Sequence, residues 1–306
     1  MGKEINKVMT AKEAVDRFVF DGATIGMGGQ SIGRCSMALA HEIVRQGKRN
    51  LTLVGCNLAL SMDIMVGAGL VKRTECGTGN LERFGSAMRW RKAIEQGLIE
   101  VRDYSHLGMA SRFLAGALGL PFMPCKSLLG TDIVNKAIFD GEELFRIIDN
   151  PWNENDPVLL VPACTPDVAI IHAQKADEMG NVILEGFTTQ EPEMVRASKT
   201  VIVSCEELIS SEQTRSDPEL TSIPYVFVDA VVQQSWGAYP TSVYRYYEHD
   251  EDHLNYYQNC ARKGGQIYQE YLNKFVYDCE SFDNYLEKIG GNSKLKELRN
   301  SMLSLL

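Results

Sequence analysis

Between residues 21 and 34 the chain sets an acidic turn, Asp21-Gly22, ahead of a short β-prone run. It then gathers Gly28, Gly29, Gln30, Ser31, Gly33 and Arg34 into one loop before a helical pattern. Glycines in a strand–loop–helix unit let backbone N–H groups approach a ligand closely and point at negative charge. The same residues also read as a tight turn that closes a strand against a helix, and the loop alone does not choose. It is not a Gly-x-Gly-x-x-Gly fingerprint, because Gly33 falls too late after Gly26 and Gly28. No Gly-Lys-Ser/Thr follows, which excludes a Walker phosphate loop. The stretch from Gly77 through Thr78 and Gly79 to Asn80 is a second Gly and polar loop, after a run that reads as a strand. Ser105 and His106 follow Asp103 and Tyr104 at a predicted helix start. Ser105 reads as an N-cap, and His106 as an acid, base or hydrogen-bond donor.

Other chemistries leave no trace. The histidines at 41, 106, 172, 249 and 253 have no zinc spacing, so no metal site is expected. His249 and His253 sit at i, i+4 beside Asp250, Glu251 and Asp252 and read as the solvated start of an acidic helix. His172 lies mid-strand in an apolar run and reads as a hydrogen-bonded core histidine. There is no Gly-x-Ser-x-Gly elbow, and no Ser or Cys has a nucleophile's local signature.

These residues need elements to hold them. Apolar, β-branched runs predict strands at 23–27, 51–55, 71–75, 158–161, 168–174, 200–204 and 225–232. Amphipathic spacing predicts helices at 11–20, 35–46, 60–67, 84–96, 105–118, 191–197 and 250–271. The alternation implies βαβ units and an α/β fold with an open, mostly parallel, doubly wound sheet. Right-handed crossovers bring the strand C-termini to one edge, where open sheets bind ligands. The loops at Gly28-Gly29 and at 77–80 both fall on that edge. Residues 130–157, with Asp140-Gly141 and Asn150-Pro151, read as a connector or excursion within an α/β domain spanning 1–245. Residues 246–306 read as a C-terminal helical arm on the core. Its tyrosines suit partner contact and self-packing alike.

The chain has 306 residues, 44% of them apolar, and a formal charge of −9. That is ample for a core and argues against a nucleic-acid partner. Eight cysteines without a Cys-x-x-Cys pair read as buried free thiols in a reducing cytosol. Residues 1–7 lack the apolar run of a signal peptide, and no run is long enough to span a membrane, so a cytoplasmic protein is expected.

Several motifs together resemble one family. Asp21-Gly22, five residues and Gly28-Gly29 resemble the Asp-Gly-x5-Gly-Gly signature of the A subunits of class I CoA-transferases. Gln30 and Ser31 stand where that family usually carries Phe and Gly or Thr, and its following Pro is missing. The stretch 162–181, with Asp167, His172, Gln174, Asp177 and Gly180-Asn181, is similar to the family's strand and downstream turn. Segments at 103–105, 117–122, 148–151, 203–207, 228–232 and 236–240 also match, so the resemblance runs from about residue 8 to 286. The glutaconate CoA-transferase type of A subunit fits best.

The resemblance implies a CoA-transferase-like fold and transfer of CoA between an acyl-CoA and a small acid, dicarboxylic acids included. In the family the thioester is attacked by a glutamate that the B subunit carries, and a glutamyl-CoA thioester follows. This chain has no Glu-Asn-Gly or Glu-Ser-Gly, so it is expected to be half of an active site in an (AB)n hetero-oligomer. Coenzyme A thioester enters as substrate, with no permanently bound cofactor. Glu75 is the best internal carboxylate, with a structural role favoured. Gly28 and Gly29 are expected to supply oxyanion donors. Gln30, Ser31, Thr78, Gly79, Asn80, Ser105 and His106 are expected to line the acyl group. Arg34 would pair with a substrate carboxylate or a CoA phosphate, or else be an exposed first-turn residue. The alternatives are a subunit of a CoA-thioester or ring-opening hydrolase, or a non-catalytic CoA-binding subunit. The hydrolases' acid/base glutamate in the 103–106 region has no counterpart here.

Overall fold

The computed structural model describes residues 5–135, 138–139 and 142–305. Residues 1–4, and Asp140-Gly141 of the expected connector, lie outside the described residues. The strands are β1 (Thr24–Met27), β2 (Leu51–Leu58), β3 (Val71–Gly79), β4 (Glu100–Asp103), β5 (Phe122–Cys125), β6 (Ile138–Phe139), β7 (Glu142–Glu143), β8 (Arg146–Asn150), β9 (Asn153–Pro162), β10 (Val168–Asp177), β11 (Val182–Ile183), β12 (Thr200–Ile209) and β13 (Ala230–Gln233). The helices are α1 (Ala11–Phe18), α2 (Met37–Gln46), α3 (Leu60–Gly67), α4 (Met88–Glu95), α5 (His106–Ala117), α6 (Asp132–Asn135), α7 (Glu191–Ala197), α8 (Ser211–Ser216), α9 (Glu251–Lys263), α10 (Gly265–Leu272), α11 (Phe282–Lys288) and α12 (Gly291–Leu303).

Seven parallel strands form an open sheet in the order β13-β12-β10-β1-β2-β3-β4, and β11 adds antiparallel to β10. From β1 the chain runs outward through β2 to β4 and resumes on the other flank at β10. The order reverses at β1, and a crevice opens beyond the strand ends at such a switch point. Every residue of β2 is buried, because helices cover both faces of the sheet. One face packs Ile25, Leu53, α2, α3 and the C-terminal helices into a single apolar cluster. The other packs Val54, Ile171 and Val203 against α5, α7 and the antiparallel sheet β5-β9-β8.

The departures from the sequence expectations have local causes. The stretch 77–80 is not a loop: β3 runs on through Gly79, held by its pairing with β2 at Thr78 and Gly79. Residues 225–227 form a 3-10 turn rather than strand, since the Tyr225 amide donates to Asn181 Oδ1 (3.1 Å) and the Phe227 amide to Pro224 O (3.1 Å). The helix expected over 250–271 breaks at Gly264-Gly265 into α9 and α10. Within 130–157 lie β8 and the first half of β9, which join β5 in a three-stranded antiparallel sheet. His253 is not solvated. It is buried among Tyr239, Tyr271, Phe275 and Tyr285, and its Nε2 hydrogen-bonds with Tyr271 Oη (3.0 Å). Tyr247, Tyr257, Tyr271 and Tyr285 are fully buried, so that part of the tyrosine cluster packs on itself and on the sheet.

Candidate active site

The Gly loop is shaped from beneath. On one face β1 carries Ile25 and Met27, and on the other Thr24 is followed by Gly26 and, just past the strand, Gly28. With no side chain there, α7 settles directly on the strand. A Cβ at Gly26 would meet Met194 Sδ at 2.9 Å, and one at Gly28 would meet Glu191 Oε1 at 2.6 Å. Glu191 is completely buried and accepts the Gly29 N–H at 2.9 Å. Arg34 answers its charge with both terminal nitrogens, Nη1 at 3.1 Å and Nη2 in the closer ion pair. The same guanidinium donates to His172 O (2.8 Å) and Phe187 O (3.1 Å). Gln30 and Gly33 exchange backbone hydrogen bonds at 2.8 Å, and Gly29 takes φ +81° with its Cβ position 2.5 Å from Arg34 O.

This overturns two expectations. The Gly28 amide donates to Ile170 O (2.9 Å) and the Gly29 amide to Glu191, so neither faces outward as an oxyanion donor. Arg34 is not exposed, and both of its terminal nitrogens are engaged by Glu191 and two carbonyls rather than held out for a substrate anion. Loop and arginine form a buried scaffold that presents Gln30 and Ser31.

Beside the loop, the ends of β2, β3 and β4 bring polar groups into a row. Thr78 Oγ1 donates to Asn57 Oδ1 (2.8 Å) and lies 3.0 Å from His106 Nε2. Ser31 Oγ donates to Asn80 Oδ1 at 3.4 Å. His106 opens α5, where Ser105 is the N-cap and accepts from the Gly108 amide at 2.8 Å. The Ser105 hydroxyl is also bonded to Ser127. Gly77 makes room for His106, since a Cβ there would come within 2.3 Å of the imidazole Cδ2. Gly79 lies under the Trp90 ring, so it shapes β3 rather than offering a side chain to a ligand.

Gln30 and His106 border a groove of about 460 Å³, a volume within the range of small-molecule sites. Leu107, Ala110 and Leu114 of α5 form one wall. Phe187, Thr189, Gln190 and Glu193, from the β11–α7 segment, form the other. Thr189 Oγ1 and Gln190 Oε1 are buried without a hydrogen-bond partner. Sequence reasoning missed these four residues and Asn57, which no local motif marks. Cys56 also lines the groove, but burial pushes its thiol up to about 12, which rules out a resting thiolate.

The remaining candidates are structural. Glu75 is buried between Arg112 Nη1 (2.8 Å) and Arg102 Nη1 (3.7 Å). His172 is fully buried, with Nδ1 on Ser204 Oγ and Nε2 on Glu206 Oε1, each at 2.8 Å. Glu206 also accepts from the Trp236 amide and Tyr247 Oη, both at 2.6 Å. All eight cysteines are free, and all but Cys125 are buried. Among the described residues no cluster of three His, Cys, Asp or Glu could hold a metal ion, and no helix is long and apolar enough to cross a membrane.

An open parallel sheet with its switch point at a Gly-Gly loop and a covering antiparallel sheet is an architecture shared with known proteins. Residues 8–234 match the Coenzyme A transferase family, and the chain belongs to it. Within that family it is similar to the A subunit of glutaconate CoA-transferase of Acidaminococcus fermentans, 35% identical over 94% of this chain and 92% of the relative. The crystal structure of the glutaconate CoA-transferase from that organism superposes with a TM-score of 0.92 at 33% identity, covering 95% of each chain. An uncharacterized protein of Archaeoglobus fulgidus is 37% identical over 96% of this chain, which spans only 64% of that relative's length.

Proposed function

We propose that the chain is the A subunit of a two-subunit CoA-transferase that moves CoA between an acyl-CoA and a small carboxylic acid. The observation that carries the reading is the condition of its own carboxylates. Glu75 is locked between two arginines and Glu191 is locked by Arg34 and Gly29, so neither can attack a thioester. As the family resemblance implies, we assign the nucleophile to the B subunit, with Glu193 of the groove as the internal carboxylate to be tested against it. The B subunit's carboxylate attacks the thioester carbonyl, releasing CoA thiolate and leaving an acyl-glutamyl anhydride. The thiolate attacks the glutamyl carbonyl, releasing the acid and leaving glutamyl-CoA, and the acceptor carboxylate reverses both steps. In this scheme Gln30, Ser31, Thr78, Asn80 and His106 hold the acyl group. The relative's glutaconate puts dicarboxylic acids among the acids to test.

The test is reconstitution. Purified alone, the chain transfers no CoA. With its B subunit it exchanges CoA between acyl-CoA and acetate, and hydroxylamine after acyl-CoA labels a glutamate of that partner. Labelling of Glu75 or Glu193, or robust transfer by the isolated chain, overturns the division of labour. Steady thioester hydrolysis without label favours a hydrolase.

A further inference from the structure

We propose that the groove between α5 and the 187–193 segment selects acyl groups whose far end is uncharged and can donate a hydrogen bond, a hydroxyacyl group rather than a dicarboxylic one. This rests on the CoA-transferase reading and narrows its substrate. A second carboxylate needs a cation or a set of donors at its far end. Among the described residues, this subunit's lining of the groove holds no lysine or arginine, and its one carboxyl side chain is Glu193. The adjoining hollow at Gln30, Ser31 and Gly33 is lined by Glu82, Glu185 and Arg34, and that arginine's terminal nitrogens are held by Glu191 and two backbone carbonyls. His106 is the groove's one side chain able to carry positive charge, and its Nε2 faces Thr78 Oγ1.

The groove's unmet needs point the same way. Gln190 Oε1 is a buried acceptor with no donor, and Thr189 Oγ1 is a buried hydroxyl with no partner. Such groups are normally satisfied. A carboxylate only accepts, so it leaves Gln190 Oε1 orphaned and sets a charge beside Glu193. A hydroxyl donates to Gln190 and accepts from Thr189, while Leu107, Ala110, Leu114 and Phe187 cover the methylenes. A plain alkyl end fits the walls but leaves both polar groups unpaired.

The experiment compares 5-hydroxyvaleryl-CoA, valeryl-CoA and glutaryl-CoA, thioesters of similar length. With the assembled A–B complex, kcat/KM for transfer to acetate is measured for each, and binding of each by calorimetry. The hydroxyacyl thioester is expected to exceed the glutaryl one by ~10-fold or more in both readouts, the scale of a lost hydrogen-bond match. Leu107→Arg, on an exposed position of α5, is expected to raise the glutaryl-to-hydroxyvaleryl ratio at least ~10-fold, with the melting temperature as folding control. Equal or better binding of glutaryl-CoA by the wild type overturns the inference, whatever the turnover. Preserved binding preference without transfer overturns the transferase reading and leaves the groove's selectivity standing. No binding of any of the three overturns both.

Discussion

The buried Arg34–Glu191 pair offers the sharpest test of how the site is built. Glu191 is wholly inside, and its acceptors are filled by the Gly29 amide and two guanidinium nitrogens. Arg34→Met keeps the bulk of the side chain but leaves a buried carboxylate with a single N–H. Glu191→Gln keeps an acceptor for Gly29 and strands a buried guanidinium. Breaking a buried pair from one side costs about 3–5 kcal/mol, out of a total stability of about 5–15 kcal/mol. Each single variant is therefore expected to lose ~3 kcal/mol in urea unfolding at pH 7. Arg34→Met/Glu191→Gln removes both charges, so its loss should fall short of the summed singles by ~1–3 kcal/mol. Because Glu191 fixes Gly29, transfer by the reconstituted complex should fall in both singles even where the fold survives. If the singles cost under ~1 kcal/mol and add in the double variant, the pair is not holding the loop.

Two further perturbations follow from the same geometry. Gly29→Ala meets both a positive φ and a carbonyl 2.5 Å from the new Cβ, whereas Gly47, at φ +65°, has open space around it. Gly47→Ala should cost ~1 kcal/mol, and Gly29→Ala well over twice that in the same unfolding assay. Asp63, buried beneath the Tyr257 hydroxyl (2.7 Å) and the Trp90 amide (2.7 Å), has its carboxyl raised to about 6, chiefly by burial. The folded state then binds more protons than the unfolded between about pH 4 and 6, so this group costs stability as pH rises through that window. Asp63→Asn should gain up to ~3 kcal/mol above pH 7 and lose that advantage toward pH 4, read from paired melting curves. His253 works in the opposite sense, because burial lowers it to about 4. Its contribution is present above about pH 6.5 and is lost as pH falls toward 4, so the Asp63→Asn protein should destabilise steadily over that range.

The sequence by itself determined the parallel sheet. Strands such as β2 and β10 carry consecutive apolar residues, Leu53-Val54 and Val168 to Ile171, rather than an alternation, because both faces are covered, and that pattern is local. It also determined the helix start at Ser105, where a capping side chain satisfies a free amide three residues on. It placed the Gly28-Gly29 loop and the 77–80 stretch on the same sheet edge, since the hand of the crossovers follows from the alternation of strands and helices. His172 as a hydrogen-bonded core residue was legible too, because a polar group inside an apolar run must be paired.

Only the tertiary structure decided what the loop does. Whether the Gly29 amide faces solvent or Glu191 depends on a residue 162 positions away, brought in by α7 resting on the bare face of β1. Arg34 looked free because its partner lies outside any local window. The groove's far wall at 187–193 came from the same long-range packing, so its unpaired acceptors and missing cations had no signature in the chain. Hydrophobic periodicity reports which face is buried. It does not report which buried charge another element will neutralise, and that choice set the function of the loop.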